Sequence, residues 1–201
     1  MSASGGKLAL FDFDGTITRT DTLFEVIKFT CGKCRYYLGI ISLTPYFILY
    51  FIHVIPNWRM KEIVLRKFFG GLPVELFESR CKEFTKVILP KIIRPKALDI
   101  LKKLKENQTE IMVVTASAEN WVAPWCQELG IGCIATRLEI KDNFLTGKIK
   151  GRNCNGIEKV NRLKEVIDLS KYGEIEAFGD SKGDLPMLKL ATQAYYKPFR
   201  D

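Results

Sequence analysis

Two aspartates follow a short apolar run near the start of the chain, and their spacing strongly constrains the fold. The run Leu8-Ala9-Leu10 predicts a buried strand, and it leads into Phe11-Asp12-Phe13-Asp14-Gly15-Thr16. Side chains two residues apart in an extended chain point the same way, so Asp12 and Asp14 face one small space. Open α/β folds bind ligands at the carboxyl ends of their strands. Because like charges this close are costly without a cation or a shared proton, we predict a ligand site there. The alternative is an ordinary surface turn rich in Asp and Gly.

The second half of the chain alternates between strand and helix patterns. A β-branched segment at residues 110–115 predicts a strand, and Ser117 is the expected N-cap of a helix that runs to Leu129. Such alternation is typical of a parallel sheet with crossover helices. The predicted fold class is therefore α/β, a Rossmann-like and mostly parallel sheet with helices on both faces. The remaining predicted elements are a helix from Pro95, strands at 132–136, 175–178 and 193–195, a ribbon at 137–150, and helices at 156–169 and from Asp184.

The segment between these two parts has a helical pattern. With 201 residues, the chain has room for one domain with a substantial insertion. We predict a catalytic core from residues 1–17 and 93–201, and a helical cap from residues 18–92. Residues 36–58 contain no Asp, Glu, Lys or Arg, and this uncharged segment is long enough to span a membrane. Pro45 interrupts this apolar segment, so a helical hairpin in a soluble cap is favoured over membrane embedding or surface insertion.

Residues suited to phosphoryl transfer stand at the predicted strand ends. This chemistry needs an anionic nucleophile, a general acid, and cations that offset the repulsion between nucleophile and phosphate. Mg²⁺ is commonly bound by one or two carboxylates together with a substrate phosphate. Taken alone, each residue has an ordinary alternative as a strand end, a surface lysine or a helix cap. The predicted roles are Asp12 as nucleophile, Asp14 as acid and base, Asp180 as metal ligand, Lys159 as phosphate clamp, and Thr115 with the N–H groups after it, Ala116 first, as phosphate contacts at a helix start.

Four segments together resemble the haloacid dehalogenase superfamily, phosphatase branch. The motifs are Asp12 to Thr16, the apolar strand Ile111 to Thr115, the lysine of Gly156-Ile157-Glu158-Lys159, and Gly179-Asp180-Ser181 with Asp184. The position of the insertion is similar to the cap of the phosphoserine-phosphatase-like subfamily. Dehalogenases of the superfamily lack the second acid and P-type ATPases carry Thr there, so Asp14 implies a phosphatase or a phosphomutase.

The resemblance also implies a metal site. Mg²⁺ would be held by the Asp12 carboxylate, the Asp14 backbone carbonyl and Asp180. Supporting positions fall on Asp184, Gly15 and Thr16. The expected activity is hydrolysis of a phosphomonoester through an aspartyl-phosphate on Asp12.

Two positions bear on the substrate. Phosphoserine phosphatases carry a glutamate nine residues after the nucleophile, and this chain has the shorter Asp21 there. They also carry an arginine in the cap, and Arg66 is the matching residue here. Asp21 is equally explained as a helix N-cap. The long apolar insertion is also similar to that of phosphatidylglycerophosphate phosphatases of the superfamily. The substrate is therefore expected to be a small phosphorylated metabolite or a lipid phosphate.

The composition limits the partners. The net charge of +8 favours anionic partners, but no basic block interleaved with aromatic residues indicates nucleic acid. Cysteines in apolar surroundings and residues 1–7 without leader character predict a cytoplasmic protein. Contact between residues 36–58 and the inner face of a membrane is the further expectation. The competing functions are a membrane-associated phosphatidylglycerophosphate phosphatase, a phosphomutase, and a non-catalytic binding protein on the same fold.

Overall fold

The computed structural model describes residues 5–200. The first four residues, which belong to the segment 1–7 used for the leader prediction, lie outside that range.

A parallel sheet forms the centre of the molecule. Its order is β3-β2-β1-β6-β7, and each neighbouring pair is parallel. All carboxyl ends therefore lie along one edge, and the predicted α/β class is confirmed. The strands, in chain order, are β1 Gly6–Phe11, β2 Glu110–Ala118, β3 Gly132–Thr136, the antiparallel ribbon β4 Leu138–Lys141 with β5 Phe144–Ile149, β6 Tyr172–Gly179 and β7 Gln193–Tyr196.

Both faces of the sheet are buried, which explains the unbroken apolar run in β1. Ala9 and Phe11 belong to one hydrophobic cluster, whereas Leu8 and Leu10 belong to another on the opposite face. Helices cover both clusters. On the first face lie α7 Pro95–Glu106 and α8 Glu119–Leu129, and on the second lie α9 Ile157–Val166 and α10 Leu185–Leu188.

Six further helices of the described chain lie between β1 and α7. The apolar segment is divided between two of them, and the break falls at Leu43, directly before the Thr44-Pro45 start of the second helix. Proline fits the first turn of a helix, where its missing N–H costs nothing. None of the described helices has the length and apolarity required to cross a membrane. The six helices are α1 Thr22–Cys31, α2 Lys33–Ser42, α3 Thr44–Phe51, α4 Asn57–Phe69, α5 Val74–Val87 and α6 Leu89–Ile92.

Two local predictions are wrong. Strand β2 continues to Ala118, so Ser117 belongs to the strand and Ala118 is the N-cap residue of α8. The N–H groups after Thr115 are therefore not at a helix start. The predicted helix 156–169 ends at Val166, because Ile167 is extended and the Asp168 side chain caps a separate short turn.

Candidate active site

The four predicted segments converge at the carboxyl edge of the sheet. Because β1, β2 and β6 are parallel neighbours, the residues that follow or end them share one edge. They line a cavity of about 660 Å³. Helices α1, α3 and α4 contribute the other side of its wall. The sequence-predicted residues in the lining are Asp12, Asp14, Gly15, Asp21, Thr115, Ala116, Lys159, Asp180 and Asp184.

Lys159 is the buried cation of this site. Its side chain is 1% exposed, and its Nζ donates to Asp12 Oδ1 at 2.5 Å and to Asp184 Oδ1 at 2.7 Å. Burial opposes the charge on Lys159, but the two carboxylates outweigh it and hold the pKa of this lysine above its ordinary value. Lys159 therefore stays protonated and joins β1, α9 and the turn after β6.

The two carboxylates share this cation unequally. Burial disfavours the Asp184 anion, but Lys159 and the Ser181 hydroxyl and N–H hold the pKa of Asp184 below its usual range. Burial raises the pKa of Asp12 to about 7 against the attraction of Lys159, and the charge on Asp184 adds to the rise. One ammonium facing two carboxylates does not fully compensate Asp12, so its carboxyl group is ionised only in part at neutral pH.

Asp14 is held by hydrogen bonds from two elements. Its Oδ1 accepts from the backbone N–H of Thr22 at 2.9 Å, and its Oδ2 accepts from the Ser117 hydroxyl. The Thr22 and Ser117 hydroxyls lie 3.0 Å apart, and Trp121 Nε1 donates to Thr22 at 2.9 Å. Burial raises the pKa of Asp14 to about 6, with a contribution from the nearby charge of Asp21. A carboxyl group titrating near neutrality is suited to transferring protons.

The turn after β1 fits closely against Asp180. Gly15 has φ +78°, and a Cβ at this position would lie 2.5 Å from an Asp180 carboxylate oxygen. Only glycine allows this approach at a positive φ without strain. The Thr16 hydroxyl lies 3.5 Å from Asp12 Oδ2, and Thr115 Oγ1 accepts from the Ser117 N–H at 3.0 Å.

Three carboxylates are arranged as a cation site would require. Oxygens of Asp12, Asp180 and Asp184 all lie within 4.8 Å of one another. Both Asp184 oxygens are already engaged, one by Lys159 and the other by Ser181 and the Asp180 N–H. Asp180 is also paired with the Arg200 side chain. Hard oxygen donors and incompletely compensated negative charge fit Mg²⁺, which Asp12 and Asp180 would hold through carboxylate oxygens.

The helical side of the cavity differs from the prediction. Asp21 lines the cavity and also caps α1, since its Oδ1 accepts from the Leu23 N–H at 2.9 Å. Arg66 is exposed and is not among the lining residues, so the structure does not bring it to the site. Lys61, one turn earlier on α4, faces the cavity and donates to the Ala116 carbonyl. Burial lowers the pKa of Lys61 despite the charges of Asp21 and Asp14.

Comparison with known proteins assigns the chain to the same family as its sequence motifs. The haloacid dehalogenase-like hydrolase family matches residues 9–189 of the chain. The chain belongs to this family. Protein CicA of Caulobacter vibrioides is 33% identical over 195 residues, which are 96% of this chain and 86% of CicA.

A family member named as a phosphatase is also similar along most of the chain. Phosphoserine phosphatase of Methanocaldococcus jannaschii is 27% identical over 92% of this chain and 82% of its own length. A solved structure of a Bordetella pertussis protein covers 94% of this chain, and 89% of its own, with a TM-score of 0.79 at 23% identity, a likeness that shows the fold. Family and relatives make the chain an enzyme of the phosphatase class.

The sequence interpretation missed two residues of this haloacid dehalogenase-like site. Ser117 was expected to cap a helix, although its position two residues after Thr115 places it on the same side of β2. Lys61 is one of many lysines on an amphipathic helix, and the sequence carries no signal that distinguishes it from Arg66.

We expect Lys159→Met to be strongly destabilising, because it leaves two buried carboxylates without their cation. The free energy of unfolding should fall by about 3–5 kcal/mol near neutral pH, as measured by urea denaturation. Without the ammonium the pKa of both carboxyl groups rises, and they take up protons in mild acid. The difference in the free energy of unfolding between wild type and variant should therefore be smaller in mild acid.

Lys164→Met is the matched control, since Lys164 is an exposed residue of the same helix. It should change the stability by less than about 0.5 kcal/mol. Equal effects of the two variants at neutral pH would contradict the assigned ion pairs.

Proposed function

We propose that the chain is a Mg²⁺-dependent phosphatase that hydrolyses a phosphomonoester through an aspartyl-phosphate on Asp12. The observation that carries the proposal is the buried Lys159, which pairs with both Asp12 and Asp184 at the carboxyl end of β1. It fixes one carboxylate at the sheet edge and leaves it with excess negative charge. A group that attacks phosphorus must be both positioned and anionic.

In the first step, an Asp12 carboxylate oxygen forms a bond to phosphorus while the bond to the ester oxygen breaks. Asp14 gives its proton to the departing oxygen, so the leaving group departs as an alcohol. The Thr22 N–H and the Ser117 hydroxyl hold the Asp14 carboxyl in one orientation for this transfer. In the second step, Asp14 takes a proton from water as the water oxygen bonds to phosphorus and the bond between phosphorus and the Asp12 oxygen breaks. Inorganic phosphate is released and the Asp12 carboxylate is restored.

Cations offset the charge that builds up during both steps. Lys159, the Thr115 hydroxyl and the Ala116 N–H are the proposed phosphate contacts. Asp12, the Asp14 backbone carbonyl and Asp180 would hold Mg²⁺, with Asp184 in support. When bound, Mg²⁺ neutralises the carboxylates and the phosphate oxygens, and so permits a dianion to approach Asp12.

We propose that residues 18–92 act as the cap over this core, formed by residues 1–17 and 93–201. Helices α1, α3 and α4 contribute Asp21, Phe47, Tyr50 and Lys61 to the cavity wall. Arg19, which precedes α1, also lines the cavity. This mixture of one acid, two basic residues and aromatic surface suits a small phosphorylated metabolite with a charged and an apolar part. A lipid phosphate is the second candidate, supported by the apolar character of α3. A phosphomutase and a non-catalytic binding protein are the remaining alternatives.

Asp12→Asn should abolish turnover, because the neutral amide oxygen is too weak a nucleophile to form the acyl phosphate. With Mg²⁺ present, the rate should fall on the order of 10⁵-fold while the far-ultraviolet circular dichroism stays unchanged. The substrate is first chosen from a panel of an aryl phosphate, phosphoserine, sugar phosphates, nucleotides, and phosphatidylglycerophosphate in detergent. Wild-type activity should disappear with a chelator and return with Mg²⁺. Full activity of Asp12→Asn, or no phosphate release from any panel member, would contradict the proposal.

Asp14→Asn should slow esters of poorly leaving alcohols by about 10²–10⁴-fold. Aryl phosphates, whose leaving groups depart without a proton, should be affected much less in the first step. The measurement is kcat/KM across a series of leaving groups. Asp142→Asn, at the exposed tip of the β4–β5 ribbon, is the control and should leave the series unchanged. A uniform loss across the series would argue against Asp14 as the acid.

A further inference from the structure

The α2–α3 pair exposes a large apolar surface on the outside of the molecule. Soluble proteins seldom expose this much contiguous apolar surface without a partner. Two positions are each about 70% exposed, Leu38 at 70% on α2 and Phe51 at 71% on α3. We call this surface the outer face; its residues are Tyr37, Leu38 and Ile41 of α2, Ile48 and Phe51 of α3, and Ile52 directly after α3.

The opposite sides of the same helices are packed. On α2, Gly39 is buried, and a Cβ there would lie 2.4 Å from the Phe68 ring of α4. On α3, Phe47 and Tyr50 line the active-site cavity. The inner sides of both helices therefore pack against the rest of the protein, and this packing does not explain why their outer sides are apolar as well. The outer face points away from α4 and from the cavity.

The unpaired charges beside the outer face are positive. Residues 26–61 contain no Asp or Glu and carry five cations. Lys28 and Arg59 pair with the flanking Glu25 and Glu62, and Lys61 faces the cavity. Lys33 and Arg35, at the exposed start of α2, have no ion-pair partner among residues 5–200. Anionic lipid attracts such cations, and an apolar helix face next to them then enters the boundary between headgroups and acyl chains.

We propose that the outer face of α2 and α3 docks on an anionic lipid bilayer and lies in its surface without crossing it. The partner is assigned by charge complementarity, since an apolar protein interface would not require the exclusion of acids from residues 26–61. Docking would hold the cavity, whose wall includes Phe47 and Tyr50 of the same helix, beside the membrane surface.

Trp58 follows Ile52 of the outer face by six residues in the chain and offers a fluorescence probe for this contact. Trp58, at the start of α4, is 50% exposed, whereas Trp121 and Trp125 are buried. These are all the tryptophans of the chain. Entry of Trp58 into the lipid boundary should shift its fluorescence to shorter wavelength, while the two buried residues give a constant background.

The test is cosedimentation of the full chain with vesicles, together with Trp58 emission. We expect binding and a blue shift with mixed phosphatidylserine and phosphatidylcholine vesicles, and little of either with phosphatidylcholine alone. Leu38→Ser/Phe51→Ser should weaken binding about tenfold or more, because each change removes apolar area from the contact. Leu98→Ser/Val166→Ser, which alters exposed apolar residues of α7 and α9, should bind as wild type.

A second pair of variants tests the electrostatic contribution to vesicle binding. Lys33→Glu/Arg35→Glu should reduce binding to the anionic vesicles, while Lys102→Glu/Lys164→Glu changes the net charge equally at exposed positions of α7 and α9 and should reduce it much less. No vesicle binding by wild type, or equal losses in test and control variants, would overturn the proposal. So would self-association in the absence of lipid that Leu38→Ser/Phe51→Ser removes, because a second copy would then cover the outer face. None of these outcomes depends on turnover, so they are distinguishable from failure of the phosphatase mechanism.

Discussion

A single buried ammonium group, shared by two carboxylates, organises this molecule. Lys159 reaches from α9 to Asp12 after β1 and to Asp184 after β6, so three separate stretches of chain meet at one nitrogen. Its desolvation is offset because both carboxylates approach within hydrogen-bond distance. The charge does not balance, however, since one cation faces two anions, while Asp180 beside them has its own partner in Arg200. The fold thus stabilises a site with a residual negative charge. Such a site favours a further cation, which is the physical basis for proposing Mg²⁺ there.

The two sides of the cavity have different physical origins. The sheet edge supplies groups whose positions follow from strand order, and they are fixed by backbone hydrogen bonds and by the ion pairs of Lys159. Helices α1, α3 and α4 supply groups whose positions follow from helix packing. Helix α3 faces two environments, with Phe47 and Tyr50 toward the cavity and Ile48 and Phe51 toward the outside. The proposed membrane contact at the outer face would therefore act on the same helix that forms the cavity wall, and would couple the location of the protein to access to its site.

The sequence was sufficient for the features set by local pattern. The apolar run of β1, the aspartates after it and the alternation beyond residue 95 predicted the parallel sheet and the edge where the site lies. Prediction was weaker where tertiary packing decides. Positions 61 and 66 of α4 differ by about 140° around the helix axis, and the packing of α4 places Lys61, with Met60 and Val64, on the side that lines the cavity. Ser117 was misassigned because β2 continues three residues beyond the expected end. The outer face could not be predicted from the sequence either, since an apolar segment alone does not show which of its sides is packed.

The central claim is that Asp12 becomes covalently phosphorylated, and a trapped intermediate tests it most directly. The measurement is mass spectrometry of peptides from Asp14→Asn protein that is quenched with acid during turnover of an aryl phosphate with Mg²⁺. This variant should form the acyl phosphate and hydrolyse it slowly. The account predicts that the peptide containing Asp12 gains the mass of one phosphoryl group and loses it on treatment with hydroxylamine. A phosphoryl group on any other residue, or continued turnover with an unmodified Asp12 peptide, would contradict it.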